Sequence, residues 1–209
     1  MSDQKLENAK HARTKASEKT KWIAKTGILS AFAIILMYLE FSIPFMPVFL
    51  KFDFAEIPAL LGSFALGPWS GLLIEFIKNL SHLPFSHTGF VGELSNFIIC
   101  GSFVFAAGLI YQRKKTKKGA VISLIVGTLV MTTLGVFVNY FINLPFYFNV
   151  MGLNMNDIIG MTAAAGNTLV KDMRTLISFV FVPFNIFKGV VISLIVMTIY
   201  KKISPILHK

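Results

Sequence analysis

Fifteen of the 20 lysines and arginines in this 209-residue chain are gathered into three short clusters, and apolar sequence fills most of the space between them. Seven lie between Lys5 and Lys25, five in Arg113 to Lys118, and Lys201, Lys202 and Lys209 close the chain. A run of about 20 apolar residues is long enough to cross the hydrocarbon of a bilayer as a helix. Basic residues that flank such runs collect on the cytoplasmic side. The pattern therefore predicts a chain that threads a membrane several times, with both ends and one middle loop on the cytoplasmic face. Composition agrees, since 55% of residues are hydrophobic, 14% are charged and the mean hydropathy is +0.68, outside the range of an ordinary soluble domain. The formal net charge of +10 belongs to these flanks. No nucleic-acid recognition fold accompanies it.

Prolines, glycines and the clusters divide the chain into six expected crossings. They run from about Trp22 to Ser42, Ile57 to Leu66, Trp69 to Leu83, Val91 to Tyr111, Ala120 to Phe141, and Thr175 to Tyr200. Pro44 and Pro47 break the first helix, because proline removes a backbone donor and clashes with the preceding turn. Gly67-Pro68 leaves room only for a tight turn, and the segment from about Val150 to Gly166 reads as a polar, glycine-containing loop. The expected architecture is a single all-α, polytopic integral membrane protein, a six-transmembrane-helix bundle. Residues 1–21 form a basic cytoplasmic tail, 22–200 the membrane domain, and 201–209 a second cytoplasmic tail.

Charges within such a chain need a reason, because an ionised group at the bilayer centre costs at least about 2.5 kcal/mol. The stretch Phe49 to Pro68, FLKFDFAEIPALLGSFALGP, places Lys51, Asp53 and Glu56 between apolar neighbourhoods. It predicts an interfacial loop on the outer side, in which Lys51 and Asp53 either meet a bound molecule or neutralise each other. In the third crossing Glu75, Lys78 and Asn79 share a helix face, where Glu75 and Lys78 can pair. Glu93 and Asn96 lie three apart at the start of the fourth, where the helix dipole alone favours a carboxylate. Asn139 and Asn143 are one turn apart in the fifth, and Asn185 and Lys188 in the sixth. Lys188 stands 12 residues before Tyr200, about 18 Å of helix, too deep to reach the inner surface easily, so it requires a partner. The outer half of the bundle thus gathers Lys51, Glu93, Asn139, Asn185 and Lys188 among many phenylalanines. That set suits a planar, apolar molecule with several hydrogen-bonding groups.

Other features exclude functions. The lone cysteine, Cys100, offers neither a disulfide nor a thiolate metal cluster. No phosphate-binding GxxxxGK[ST] loop is present for ATP, and no HExxH or GxSxG pattern surrounds His82 and His87, which read as loop residues. No catalytic or metal-binding set emerges. Gly27 and Ala31 form a small-xxx-small pair on the first helix, widened by Ser30 and Ala33, and read as a surface for close helix contact with a partner or within the bundle.

The order ILMYLEFSIPF, FLKFDFAEIPALLGSFALGP, IEFIKN, GELSN and FNIFKG resembles the substrate-binding S components of energy-coupling factor (ECF) vitamin transporters, and within them the riboflavin-specific members. The resemblance covers about Thr26 to Tyr200. It implies a six-helix membrane subunit that captures riboflavin as transported substrate, with no cofactor of its own. Its implied partners are a module of two ATPases and one transmembrane coupling protein. The family's AxxxA coupling pattern on the first helix is matched by Gly27 and Ala31, with glycine in place of the first alanine. The family's binding features fall on Lys51, Asp53, Glu93, Asn96, Asn139, Asn185 and Lys188. Asn185 and Lys188 are implied to meet the pyrimidine edge of the ring, and Glu93 and Asn96 the ribityl hydroxyls. Three other readings stay open: an S component for another flat vitamin such as thiamin or folate, an intramembrane enzyme using Glu75, His82 and His87, and a structural membrane subunit.

Overall fold

The computed structural model of the chain describes the backbone of residues 2–207 and the side-chain surroundings of Glu7 and of residues 16–200. Most side chains of the two expected tails therefore lie outside the described residues. The helices are α1 (Ser2–Met37), α2 (Glu56–Leu66), α3 (Pro68–His82), α4 (Val91–Arg113), α5 (Lys117–Val138), α6 (Leu144–Asn149), α7 (Met155–Ala164), α8 (Met173–Leu176) and α9 (Val182–Leu207). A π-helical turn, Asn139–Asn143, joins α5 to α6, and a second, Ile177–Phe181, joins α8 to α9. Each precedes or overlaps the approach of a proline, Pro145 or Pro183, whose missing N–H interrupts the regular ladder.

Among the described residues, four helical stretches are long and apolar enough to cross a membrane: Ala16–Met37, Val91–Arg113, Lys117–Asn149 and Met173–Tyr200. Helices α2 and α3 have only 11 and 15 residues. They form a hairpin that reaches from one end of the bundle to the other beside α1. At one end Trp22 Nε1 donates to the Leu66 carbonyl at 3.3 Å, and at the other the Tyr38 hydroxyl donates to the Ser81 carbonyl at 2.9 Å. The turn between them needs Gly67, whose φ of +106° is left-handed. A Cβ there would also stand 2.9 Å from Gln112 Nε2, at the end of α4. The Gly67 end is the one that carries the basic Arg113–Lys118 segment.

Two expectations are corrected. The first helix stops at Met37 and not at Ser42: Phe41–Ser42 pairs antiparallel with Lys51–Phe52, so the 38–55 segment is pinned as a small ribbon. Aromatic and β-branched residues around Pro44 and Pro47 favour extended backbone over another helical turn. The 150–166 segment is not all loop, since α7 fills its middle. Asn154 caps that helix with a capping box, its side chain accepting from the Asn156 and Asp157 amides while Asp157 reaches back to the Asn154 amide.

The core has two parts. One, around Phe52, Phe64, Phe103 and Ile192, packs the hairpin against α4, α5 and α9. The other, around Leu144, Tyr147, Ile158 and Phe181, lies beneath the 150–172 segment. Tyr111 stacks on Phe64 with ring centroids 4.4 Å apart and hydrogen-bonds Tyr200, which closes the basic end.

Candidate functional site

A cavity of about 320 Å³ opens among the 38–55 segment, α4, the α5–α6 junction and α9, at the end opposite the basic segment. Its volume lies at the lower end of the range for small-molecule sites. Walls from Phe49, Leu50, Ile99, Tyr147 and Phe184 are apolar, and the polar groups are few and fixed.

All seven residues that the sequence marked for binding line this cavity: Lys51, Asp53, Glu93, Asn96, Asn139, Asn185 and Lys188. Lys188 is 3% exposed, and its Nζ lies 3.0 Å from Asp53 Oδ2 and 3.1 Å from Glu56 Oε1. The partner that its depth demanded is thus supplied by the 38–55 segment and by the first residue of α2. Asp53 serves twice, because its Oδ1 also accepts the Ala55 amide at 2.8 Å and steers the chain into α2. Lys51 does not neutralise Asp53; it is exposed and donates to Ser42 Oγ across the ribbon at 3.0 Å. The strand ends at Phe52, and the chain turns at Asp53 toward Lys188 and the start of α2, which takes the two apart. Lys51 turns outward while Phe52 turns into the core.

The amides are held by their own helices. Asn185 Nδ2 donates to the Phe181 carbonyl at 2.8 Å, leaving its Oδ1 for a guest. Gly135 permits this, since a Cβ there would come within 2.7 Å of Asn185 Nδ2. Asn139 Nδ2 donates to the Gly135 carbonyl at 2.7 Å, and its Oδ1 accepts from Asn143 Nδ2 at 2.9 Å. Ser95 in turn donates to Asn143 Oδ1. This amide string lies on a π-helical turn, where backbone carbonyls are released from regular pairing. Asn96 Oδ1 is buried without a hydrogen-bond partner, an acceptor that the fold itself does not use.

Glu93 is more engaged than the helix dipole alone suggests. His82 Nδ1 lies 3.0 Å from Oε1, and Ser86 Oγ donates to Oε2 at 2.7 Å. His82 and His87, read from sequence as loop residues, both line the cavity. His82 in fact ends α3. Glu75, the third member of the conceivable enzyme set, is elsewhere: it is fully buried at 3.0 Å from Lys78 and lines no part of the cavity. The three residues of that reading therefore do not converge.

Sequence reasoning missed Glu56, Asn143 and His82 as parts of this neighbourhood. The signal for Glu56 was present, since Asp53 and Glu56 are three apart and Lys188 needed an acid. The Asp53–Lys188 pairing beside it spans 135 residues, and no local spacing announces either contact.

On α1, Gly27 and Ala31 are exposed, and a Cβ added at Gly27 would meet nothing within 4 Å. Ser30 and Ala33 do not widen that patch. They are buried on the opposite side, Ser30 donating to the Thr26 carbonyl at 2.9 Å. One hundred degrees per residue carries them around the helix into the bundle.

The family model for the substrate-specific component of ECF transporters matches residues 21–200. Among curated proteins, the chain is 33% identical to "Riboflavin transporter RibU" of Staphylococcus aureus over 192 residues, covering 92% of this chain and 95% of that one. It is 31% identical to "Riboflavin transporter FmnP" of Bacillus subtilis, covering 90% and 94%. A solved structure described as the S component of a bacterial ECF transporter superposes with a TM-score of 0.72 at 33% identity, over 91% of this chain and 99% of that chain. A second, ThiT from Listeria monocytogenes, superposes at 0.54 with 13% identity over 91% and 98%, which extends the likeness of fold alone. With its helical membrane bundle, its cavity and a family match from Lys21 to Tyr200, this chain belongs to the substrate-specific components of ECF transporters.

Proposed function

We propose that this chain is the riboflavin-capturing subunit of an ECF importer. The observation that carries this reading is a single cavity in which apolar walls surround one fixed lysine, an unpartnered Asn96 acceptor and the Asn185 amide oxygen. A flat heteroaromatic ring with donors and acceptors along one edge matches such a site, and a flexible polyhydroxyl chain matches the Glu93–Asn96 side. The two relatives named as riboflavin transporters favour flavin over other flat vitamins. With no arginine cluster or glycine-rich cradle at the mouth, the uncharged vitamin is the better guest than its phosphate ester.

In this reading the cavity faces outward, and the basic segment and both termini face the cytoplasm of the cell membrane. Residues 1–21 and 201–209 are cytoplasmic tails around the membrane domain 22–200. Import is driven by a separate module of two ATPases and a transmembrane coupling protein, and the smooth exposed patch at Gly27 and Ala31 is where α1 meets it. The chain itself performs no chemistry on the vitamin.

The test is a titration of the detergent-purified protein with riboflavin, whose fluorescence is quenched on burial beside aromatic rings. Quenching that saturates at one flavin per chain supports the reading; none, or equal quenching prevented by thiamin or folate, removes it. Cys100 offers a check. It is the sole cysteine and lines the cavity, so bound flavin should slow its alkylation by a small maleimide.

A further inference from the structure

Five buried side chains of alternating charge run from the cavity wall into the bundle: Asp53, Lys188, Glu56, Lys78 and Glu75. Lys188 meets Asp53 Oδ2 at 3.0 Å and Glu56 Oε1 at 3.1 Å; the same Oε1 accepts from Lys78 Nζ at 2.7 Å, and Lys78 lies 3.0 Å from Glu75 Oε2. None is more than 3% exposed. Asp53 and Lys188 line the cavity, whereas Glu56, Lys78 and Glu75 lie behind it. Four pieces of structure are tied by this chain, namely the 38–55 segment, α9, α2 and α3.

One carboxylate is enough to balance Lys188, and Asp53 supplies it. The second has a different consequence. An ammonium on a four-carbon stem carries three donors and many rotamers. Asp53 accepts one donor at 3.0 Å, and the Glu56 carboxylate, 3.1 Å away on a different element, holds the ammonium by charge from a second side, which leaves a donor for a guest. Glu56 is itself held on the far side by Lys78, so Lys188 cannot draw it forward. A site group fixed before its ligand arrives binds with less loss of freedom.

Resting on the riboflavin reading, we infer that Glu56, which the vitamin does not touch, is the positioning residue for Lys188, and that Lys78 and Glu75 hold Glu56 in register. Its effect on affinity passes through Lys188 and is felt by the ring and not by the ribityl chain.

The experiment uses the full chain in detergent and two probes, riboflavin and lumiflavin, the latter having the ring system without the ribityl chain. Glu56→Asp keeps the charge balance while withdrawing the carboxylate by one methylene; Glu56→Gln keeps the shape and removes the charge. Both variants should weaken both flavins by the same factor, about tenfold or more. In a Lys188→Met background either change should alter the dissociation constant by less than about twofold, because the residue through which it acts is gone. Should Glu56→Gln fail to fold, Glu56→Asp carries the same comparison. Wild-type affinity in Glu56→Asp overturns the inference. So does an equal loss with and without Lys188, which would make Glu56 a merely structural residue. Wild-type protein that ignores both flavins overturns the functional reading and this inference together, whereas a binding wild type with an insensitive Glu56 overturns this inference alone.

Discussion

Two segments border the cavity, and they are fastened in opposite ways. The 38–55 segment is anchored from inside the membrane domain: its Asp53 is 2% exposed and paired with Lys188, its Phe52 is in the core, and its two strand residues at each edge are zipped together. Among the described residues, the 150–172 segment carries no such charge pair; Ile158 and Val170 bury it against Leu144, Tyr147 and Phe181, and its helix starts are capped locally. Its helix α7 and the following α8 each begin with a capping box, Asn154 with Asp157 and Asp172 with Thr175, both in exposed positions. Between the two segments run the Phe45 amide to the Ala165 carbonyl at 2.9 Å and Asn167 Nδ2 to the Phe45 carbonyl at 3.3 Å, and the same Nδ2 reaches the Phe179 carbonyl of the second π-helical turn at 3.3 Å. Buried charge pairs resist opening because an unpaired partner would be left in apolar surroundings. Exposed caps contribute less, and water replaces them readily. The 38–55 segment is thus tied to the cavity by buried charge, and the 150–172 segment by apolar burial and exposed caps.

The strongest way to break this contrast is Lys188→Met. It removes the cation that both Asp53 and Glu56 face, and losing one partner of a buried pair costs about 3–5 kcal/mol. Riboflavin affinity should fall by at least about a hundredfold in a fluorescence titration. Survival of the affinity would show that the pair is scaffold only. Next comes Asp53→Asn, which keeps the shape and the Ala55 contact but discards the charge. We expect a loss of about tenfold in affinity, with faster hydrogen exchange confined to residues 38–55. An exchange pattern that instead spread over 150–172 would erase the distinction between the segments.

Asn167→Ala sharpens the comparison from the other side. Its side-chain amide donates to the Phe179 carbonyl, four residues before Pro183, which has no N–H to offer it. Losing one such bond costs about 1 kcal/mol. Exchange should quicken in 165–172 while the 38–55 segment stays protected, with riboflavin affinity reduced only a fewfold.

Much of this arrangement could be read from residues. Periodicity and basic clusters located the membrane helices because the bilayer punishes polar backbone and charge at any position, so the signal is carried by every residue of a span. The short hairpin was legible in Gly67-Pro68. Helix ends were not: Met37 and Ser42 differ by a ribbon whose pairing depends on Lys51–Phe52, ten residues away. The seven cavity residues were legible since each broke an apolar pattern. Their partners were harder, because Glu56 reads as one more charge of an interfacial stretch and His82 as a loop residue until α9 and α4 are folded against them. The inward turn of Ser30 and Ala33 was missed for a related reason, as small residues do not say which side of a helix they serve.

The weakest expected effect is also the most local. Asp172 is fully exposed, and the Thr175 amide and hydroxyl on its carboxylate hold its pKa below the usual aspartate value. A carboxylate with a depressed pKa stabilises the folded state at pH values above the ordinary pKa, and that contribution is lost as pH falls through the folded value. The start of α8 should therefore keep its cap at neutral pH and lose it only under acid conditions, below about pH 4, the unperturbed value for aspartate. Asp172→Ala should reproduce the acid state at pH 7. The Thr175 amide would exchange faster, and no change would reach Asp53 or the 38–55 ribbon. If exchange there rose as well, the two fastenings would be coupled across the cavity through Asn167, and the 150–172 segment would open only with its neighbour.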